Sequence, residues 1–195
     1  MKSRFLRSKL AVFLILFLIF IGAMVTYSTV YRQESFSREV LLVTNMGNIT
    51  IGLYDDMPVT TANFINLTER GVYDGTIFHR VVYDFVIQGG DPTATGQGDP
   101  SIASIPDELP NRHSNSAGAV AMAKKSREDG TAEPNSASSQ FFINLEDNGD
   151  QLNAEYSVFG KVISGMDVAY SIGNIETTDE RPNQNVTIVK AQIVK

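Results

Sequence analysis

The sequence contains no cysteine and only two histidines, His79 and His113. The first absence excludes disulfides, a thiol nucleophile, thiolate metal sites and a lipid-modified N-terminal cysteine. It leaves the redox compartment open, because a cysteine-free chain suits either side of a membrane. Two histidines starve any mechanism that needs several imidazole ligands. Positive charge is scarce as well. Lys2, Arg4, Arg7, Lys9 and Arg32 precede Gln33, and every acidic residue follows it, so from Gln33 onward 11 basic residues face 22 acidic ones, a balance of −11. An acidic folded part argues against a nucleic-acid partner, which needs clustered Lys and Arg to neutralise phosphate.

Charge is also missing from Leu10 to Tyr31, 22 residues made mostly of Leu, Ile, Phe and Val. As a helix this stretch would run about 33 Å, close to the thickness of a bilayer's hydrocarbon core. The four basic residues within 1–9 would stay on the cytoplasmic side. The expectation is a basic N-terminus over 1–9, a transmembrane signal anchor over 10–31, a polar linker over 32–39 and a folded domain over 40–195. The protein would then be single-pass, with its domain outside the cytoplasm. A cleaved secretory signal is the alternative, although the apolar run is long for one and no clear Ala-x-Ala site follows it. A buried helix of a soluble domain is a third possibility.

The remaining 156 residues hold short apolar runs separated by turn-formers. Val40–Thr44 and Ile49–Leu53 flank Asn45–Asn48 as a hairpin with Gly47 at its turn. Pro58 opens a helix over Val59–Arg70 that Thr60 or Thr61 can cap and Gly71 can stop. Strands are expected at 76–82, 85–88, 119–123, 140–145, 156–163 and 186–194, with a short helix over Met166–Ile172. Many strands far apart in sequence with only two helices predict a mainly β fold, a closed or nearly closed antiparallel barrel. The loops at 91–107 and 124–139 are polar.

Within this pattern one stretch is unusual. Arg80 lies on a strand with apolar neighbours on both sides, and arginine is rarely buried unless paired. It never deprotonates, so any chemistry it does comes from donated hydrogen bonds and field. Taken alone, it is also a candidate for a structural ion pair. His79 and His113 lack partners for a metal site and read as packing and solvated residues. Gly89-Gly90 lacks the Lys-Ser/Thr of a phosphate loop. A hydrolase assembled from Ser139 and His79 has no nucleophile elbow to support it. Alternation sends only one of Phe141 and Phe142 to each face of its strand.

Six blocks occur in order: Phe78-His79-Arg80; Phe85-Val86-Ile87-Gln88-Gly89-Gly90-Asp91; Ala121-Met122-Ala123; Ser139-Gln140-Phe141-Phe142-Ile143; Val158-Phe159-Gly160-Lys161-Val162; and Gly165-Met166-Asp167-Val168. The series resembles the cyclophilin family of peptidyl-prolyl cis-trans isomerases, from about Val40 to the end of the chain. Asn144, Asp147, Asn148 and Tyr156 look most like its prokaryotic branch. The resemblance implies a closed eight-stranded antiparallel β-barrel capped by two α-helices. It implies an activity that needs no metal or cofactor, rotation about X-Pro bonds, which would assist folding of exported proteins. A proline-peptide-binding chaperone or scaffold using the same cleft without turnover is the alternative. The implied partners are unfolded or proline-containing polypeptides and, through the N-terminal helix, a membrane. The implied catalytic domain is monomeric.

By the same resemblance Arg80, Phe85 and Gln88 are the catalytic residues, and Val86, Ala123, Lys124, Gln140, Phe142, Leu152 and Tyr156 bind substrate. Phe85, Val86, Phe142 and Leu152 would wall the proline pocket. Three positions depart from the family pattern. Gln151 stands where many eukaryotic members have Trp, which should weaken cyclosporin-type binding. Lys124 replaces a usual Asn, and Tyr156 stands where many members have His. Strict alternation would place Phe85 and Gln88 on opposite faces, so a bulge or bend is expected between them.

Overall fold

The computed structural model describes Phe13, Leu14, 16–21 and 36–195. The chain divides into two compact units, Met1–Glu34 and Ser35–Lys195. In the first, Phe13, Leu14 and residues 16–21 are helical, and their apolar side chains are exposed. Among the described residues no helix is long and apolar enough to cross a membrane. Most of the expected anchor over 10–31, and the linker up to Ser35, lie outside the described residues. The strand order in the second unit begins at Phe36, ahead of the expected domain start at Val40.

Ten strands and three helices make up the second unit. They are β1 (Phe36–Thr44), β2 (Gly47–Tyr54), α1 (Pro58–Glu69), β3 (Arg80–Val82), β4 (Val86–Gly89), β5 (Ala119–Met122), β6 (Phe141–Asn144), α2 (Gly149–Leu152), β7 (Val158–Ser164), α3 (Met166–Gly173), β8 (Thr177–Thr178), β9 (Arg181–Pro182) and β10 (Ile188–Ile193). Eight strands form one antiparallel sheet in the order β10-β1-β2-β7-β5-β6-β4-β3, and β8 and β9 form a separate hairpin. The architecture is mainly β with few helices.

The sheet is open, where a closed barrel was expected. No ladder joins its end strands β10 and β3. Between them the segment before Arg80 makes only single bridges, Ile77 to Thr187 and Ile77 to Asp91. The contact across the seam stays short: the Gly75 N–H reaches the Ile188 carbonyl at 2.8 Å, the Ile188 N–H the Thr76 carbonyl at 2.8 Å and the Phe78 N–H the Val186 carbonyl at 2.9 Å, and β3 itself, three residues long, pairs only with β4.

One face of the sheet is sealed by the core. Leu42, Ile51, Ile87, Val120, Phe141, Ile143 and Phe159 are fully buried. Helix α1 lays Phe64 edge-on to Phe141, with ring centroids 5.4 Å apart, and against Phe159 at 4.9 Å. Pro58 sits in its first turn, and no side chain at the helix start caps it. The expected cap by Thr60 or Thr61 is not formed. Instead the Glu108 carboxylate accepts the N–H groups of Val59 at 3.0 Å and Thr60 at 2.7 Å. An acidic group at a helix N-terminus satisfies free donors and the dipole together, and Thr61 spends its hydroxyl on the Tyr54 carbonyl instead. Gly71, at φ +68°, closes the helix as the sequence implies.

Candidate active site

The site is built on the opposite face of β3, β4, β6 and β5. In register, Arg80 faces Gln88, Gln88 faces Phe142, and Phe142 faces Ala121. Cross-strand partners share a face, so this row lies on the face opposite Ile87, Phe141 and Ile143. Alternation puts Val86 and Gln88 on the outer side and Ile87 on the inner side. The same rule separates Phe142, which lines the cleft, from fully buried Phe141.

Of the bulge or bend expected here, the structure shows a bend: Phe85 reaches the same cleft from a turn. It is the third residue of the Tyr83-Asp84-Phe85 turn, ahead of β4, and its N–H returns to the Val82 carbonyl at 3.1 Å. Asp84 takes φ +50°, a conformation that aspartate tolerates better than most residues. Because Phe85 is outside the strand, the two-residue period does not constrain it, and β4 needs no irregularity.

The cleft has a volume of about 820 Å³, and Arg80, Phe85, Val86, Gln88, Ala123, Lys124, Gln140, Phe142, Leu152 and Tyr156 all line it. The structure therefore brings together every site residue expected from the sequence. Phe85, Val86, Phe142 and Leu152 supply an apolar side, and Tyr156 stands edge-on to Phe142 with centroids 5.5 Å apart. The polar side is a chain of amides. Gln88 donates from Nε2 to Gln140 Oε1 at 2.9 Å, and Gln140 Nε2 donates to the Gly96 carbonyl at 3.1 Å. The Ala123 N–H donates to the Gln140 carbonyl at 2.9 Å.

Charge is distributed unevenly. Arg80 is about one-third exposed and donates from Nε to Glu180 Oε2 at 2.6 Å. Among the described residues neither of its Nη groups has a protein partner. Lys124 is the opposite case: its side chain is 3% exposed and its Nζ lies 2.8 Å from Asp107 Oδ2. That ammonium is neutralised beneath the cleft, 5.9 Å from the centre of the Tyr156 ring. Burial, assisted by the charge of Glu155 and opposed by that of Arg80, pushes the Tyr156 phenol above its ordinary range. It therefore stays a neutral donor at physiological pH.

The two histidines take structural positions. His79 is buried, and burial holds its imidazole below the ordinary range despite the nearby charge of Asp91. His113 is not merely solvated, as its polar loop implies. Its ring stacks on Tyr54 at 3.5 Å and its Nε2 lies 2.8 Å from Asp56 Oδ1. Among the described residues no group of three or more His, Cys, Asp or Glu side chains is placed to hold a metal ion. The cleft offers a guanidinium fork beside an apolar pocket, with amides along one edge. That suits a ligand with a compact apolar group next to a polar backbone.

Residues 39–193 match the family described as "Cyclophilin type peptidyl-prolyl cis-trans isomerase/CLD". The chain belongs to the cyclophilin-type peptidyl-prolyl cis-trans isomerase family. This cyclophilin is 42% identical over 162 residues to a peptidyl-prolyl cis-trans isomerase-like 1 of Neurospora crassa, covering 80% of the chain and 94% of that relative. It is 41% identical over 160 residues to a peptidyl-prolyl cis-trans isomerase of Acinetobacter baylyi, covering 80% of the chain and 82% of that protein. Its fold matches a cyclophilin-type isomerase of Cryptosporidium parvum, solved in the presence of the dipeptide Ala-Pro. The TM-score is 0.72 at 33% identity, over 80% of this chain and 99% of that one.

Several parts of the cyclophilin's cleft were not anticipated from its sequence. One rim is Gly96–Gly98, and Glu133, Ser136 and Ser138 belong to the opposite loop. The first rim is held by Asp91, whose carboxylate accepts the N–H groups of Thr93 at 2.9 Å, Gly96 at 2.7 Å and Gly98 at 3.2 Å, and the Thr93 hydroxyl at 2.8 Å. Burial raises the Asp91 pKa, but these donors outweigh it and hold the carboxyl below its usual range. The 124–139 loop is itself a small hairpin, bridged at Ser126 and Ala132 and tied by the Ala132 N–H to Glu155 at 2.8 Å. A Gly-Gly-Asp followed by a run rich in glycine and threonine is the one signal that could have marked the first rim. Gln151, in contrast, lies on α2 and is exposed, outside the cleft lining.

Proposed function

We propose that Arg80 catalyses rotation about X-Pro bonds by donating to the proline nitrogen as the bond twists. The planar amide opposes rotation with a barrier of about 18–20 kcal/mol, because the nitrogen lone pair is delocalised. Twisting by a right angle returns that lone pair to nitrogen, which then accepts a hydrogen bond that the planar ground state cannot. A donor held at that position stabilises the twisted form selectively, the condition for acceleration. No bond to the protein forms and no proton is transferred.

The single observation that carries this reading is the cross-strand row. It sets Arg80 in one row with Gln88 and Phe142, with both Nη groups free of protein partners among the described residues. The proline ring would sit against Phe85, Val86, Phe142 and Leu152. Gln88 and Gln140 would orient the substrate carbonyl. Ala123 and Lys124 would meet the substrate through their backbone, since the Lys124 ammonium is engaged with Asp107. Tyr156 would close the pocket with its ring face and hydroxyl. The Ala-Pro dipeptide of the Cryptosporidium parvum structure supports proline-containing polypeptides as substrates. A standard proline-peptide isomerisation assay tests the role of Arg80. Arg80→Ala should lose about 10²-fold or more in kcat/KM, the range for removing one preorganised donor. An equally fast variant would sink it.

The wider setting is proposed with it: a monomeric, prokaryotic-type enzyme held at the cell membrane by a signal anchor over 10–31, with its domain outside the cytoplasm and exported chains as clients. Support comes from the 22 uncharged residues behind four basic ones and from Asn144, Asp147, Asn148 and Tyr156. Protease added to intact spheroplasts should remove the domain. A domain cleaved only after the membrane is lysed would contradict that placement.

A further inference from the structure

Glu180 stands outside the cleft, yet it makes the only hydrogen bond to the Arg80 side chain among the described residues. It sits in the turn of the β8–β9 hairpin, where Asp179 takes φ +50° and Glu180 φ +64°. Two successive positive φ values define the tight turn whose second central position glycine fills most easily. Glutamate there is an expensive choice for the backbone, and strain of this kind tends to persist where the side chain has a task.

The hairpin is docked at three points around the catalytic arginine. The Glu180 carbonyl accepts the N–H of Val81, the residue after Arg80, at 2.7 Å. The Glu180 carboxylate takes Arg80 Nε at 2.6 Å. Next in the chain, Arg181 donates from Nη1 to the Ala94 carbonyl at 3.2 Å, in the segment that carries the glycine rim of the cleft. The same turn thus grips the backbone beside Arg80, the inner nitrogen of its guanidinium, and the loop across from it.

We propose that Glu180 is a positioning residue for catalysis: by holding Nε it fixes the guanidinium plane so that the two Nη groups face the substrate. This rests on the reading of Arg80 as the donor to the proline nitrogen. The pair is half exposed, at 36% for Arg80 and 50% for Glu180, so its contribution to overall stability is small. Its effect lies in orientation. A flexible arginine spends much of its time in rotamers that miss the reacting nitrogen, and small misplacements are magnified in rate.

The decisive variant is Glu180→Gly, which removes the carboxylate and relieves the turn. Its melting temperature should equal or exceed that of wild type, while on-enzyme exchange of a bound proline peptide falls about tenfold, short of the ~10²-fold that a full misplacement can reach. Peptide affinity should change little. Glu180→Gln keeps an acceptor and should recover most of the rate. In an Arg80→Ala background, Glu180→Gly should have no further effect. If Glu180→Gly exchanges at the wild-type rate or faster while Arg80→Ala is slow, the positioning role is overturned and the Arg80 reading stands. An equal loss from Glu180→Gly with and without Arg80 also overturns it. If Arg80→Ala itself is as fast as wild type, the reading of Arg80 fails first.

Discussion

Removing Asp107 should destabilise the protein far more than its loop position implies. The Lys124–Asp107 pair lies at 2.8 Å with side-chain exposures of 3% and 12%. At an effective dielectric of about 20, charges at that separation attract by about 6 kcal/mol. The desolvation of two ions, several kcal/mol each, offsets most of this. The intact pair is therefore near break-even, but Asp107→Ala leaves a buried ammonium with no counter-charge. The expected loss is about 3–5 kcal/mol. For a domain of this size that is a fall of about 6–20 °C in Tm. Lys124→Met should cost less, because Asp107 keeps the Asn135 N–H at 3.1 Å and more contact with water. Thermal unfolding followed by circular dichroism, checked by urea titration, reads both. If Asp107→Ala lies within about 1 kcal/mol of wild type, the range of an exposed pair, the Lys124 ammonium is not held in a buried pair with Asp107.

Two further outcomes follow from the rims of the cleft. Asp91 has a folded-state pKa below its unfolded value of about 3.9, so its stabilisation is present above that pH and lost as pH falls through the folded value. The stability gap between wild type and Asp91→Asn should be about 1–3 kcal/mol at pH 7 and should shrink below pH ~4; a gap that does not change with pH in urea melts contradicts it. Gly90→Ala would place a Cβ 2.8 Å from the Ser139 carbonyl oxygen at φ +80°, so a loss of about 2 kcal/mol or more is expected in the same melts. An unchanged midpoint would show that the turn after β4 relaxes freely.

The cleft residues were legible because the chemistry is carried by short blocks in a set order. Arg80, Gln88 and Phe142 meet through strand register, which alternating side chains announce. What stayed hidden depends on contacts between distant segments. Glu180 is 100 residues from Arg80, and nothing in its spacing points there. Glu108 caps α1 across 48 residues, a job that two nearby threonines offered to do more simply. Phe85 was misplaced because a turn held by one left-handed aspartate looks, in sequence, like the continuation of a strand. The closed barrel was overextended for a related reason. Strand count does not reveal that β3 is only three residues long and that the segment before it meets the chain ahead of β10 through a single bridge. The two-residue strands β8 and β9 are too small to leave a periodic signal at all.

On the proposed reading Arg80 accelerates rotation and does not merely bind the peptide. The most direct test is the cis–trans exchange rate of a saturating proline peptide on the enzyme, measured by NMR alongside its Kd for wild type, Arg80→Lys and Arg80→Ala. The account predicts affinities that stay close together while on-enzyme exchange drops about 10²-fold or more in Arg80→Ala, with only slight recovery in Arg80→Lys, whose point charge lacks the planar fork. Exchange that persists at the wild-type rate in Arg80→Ala, with only affinity reduced, would contradict it.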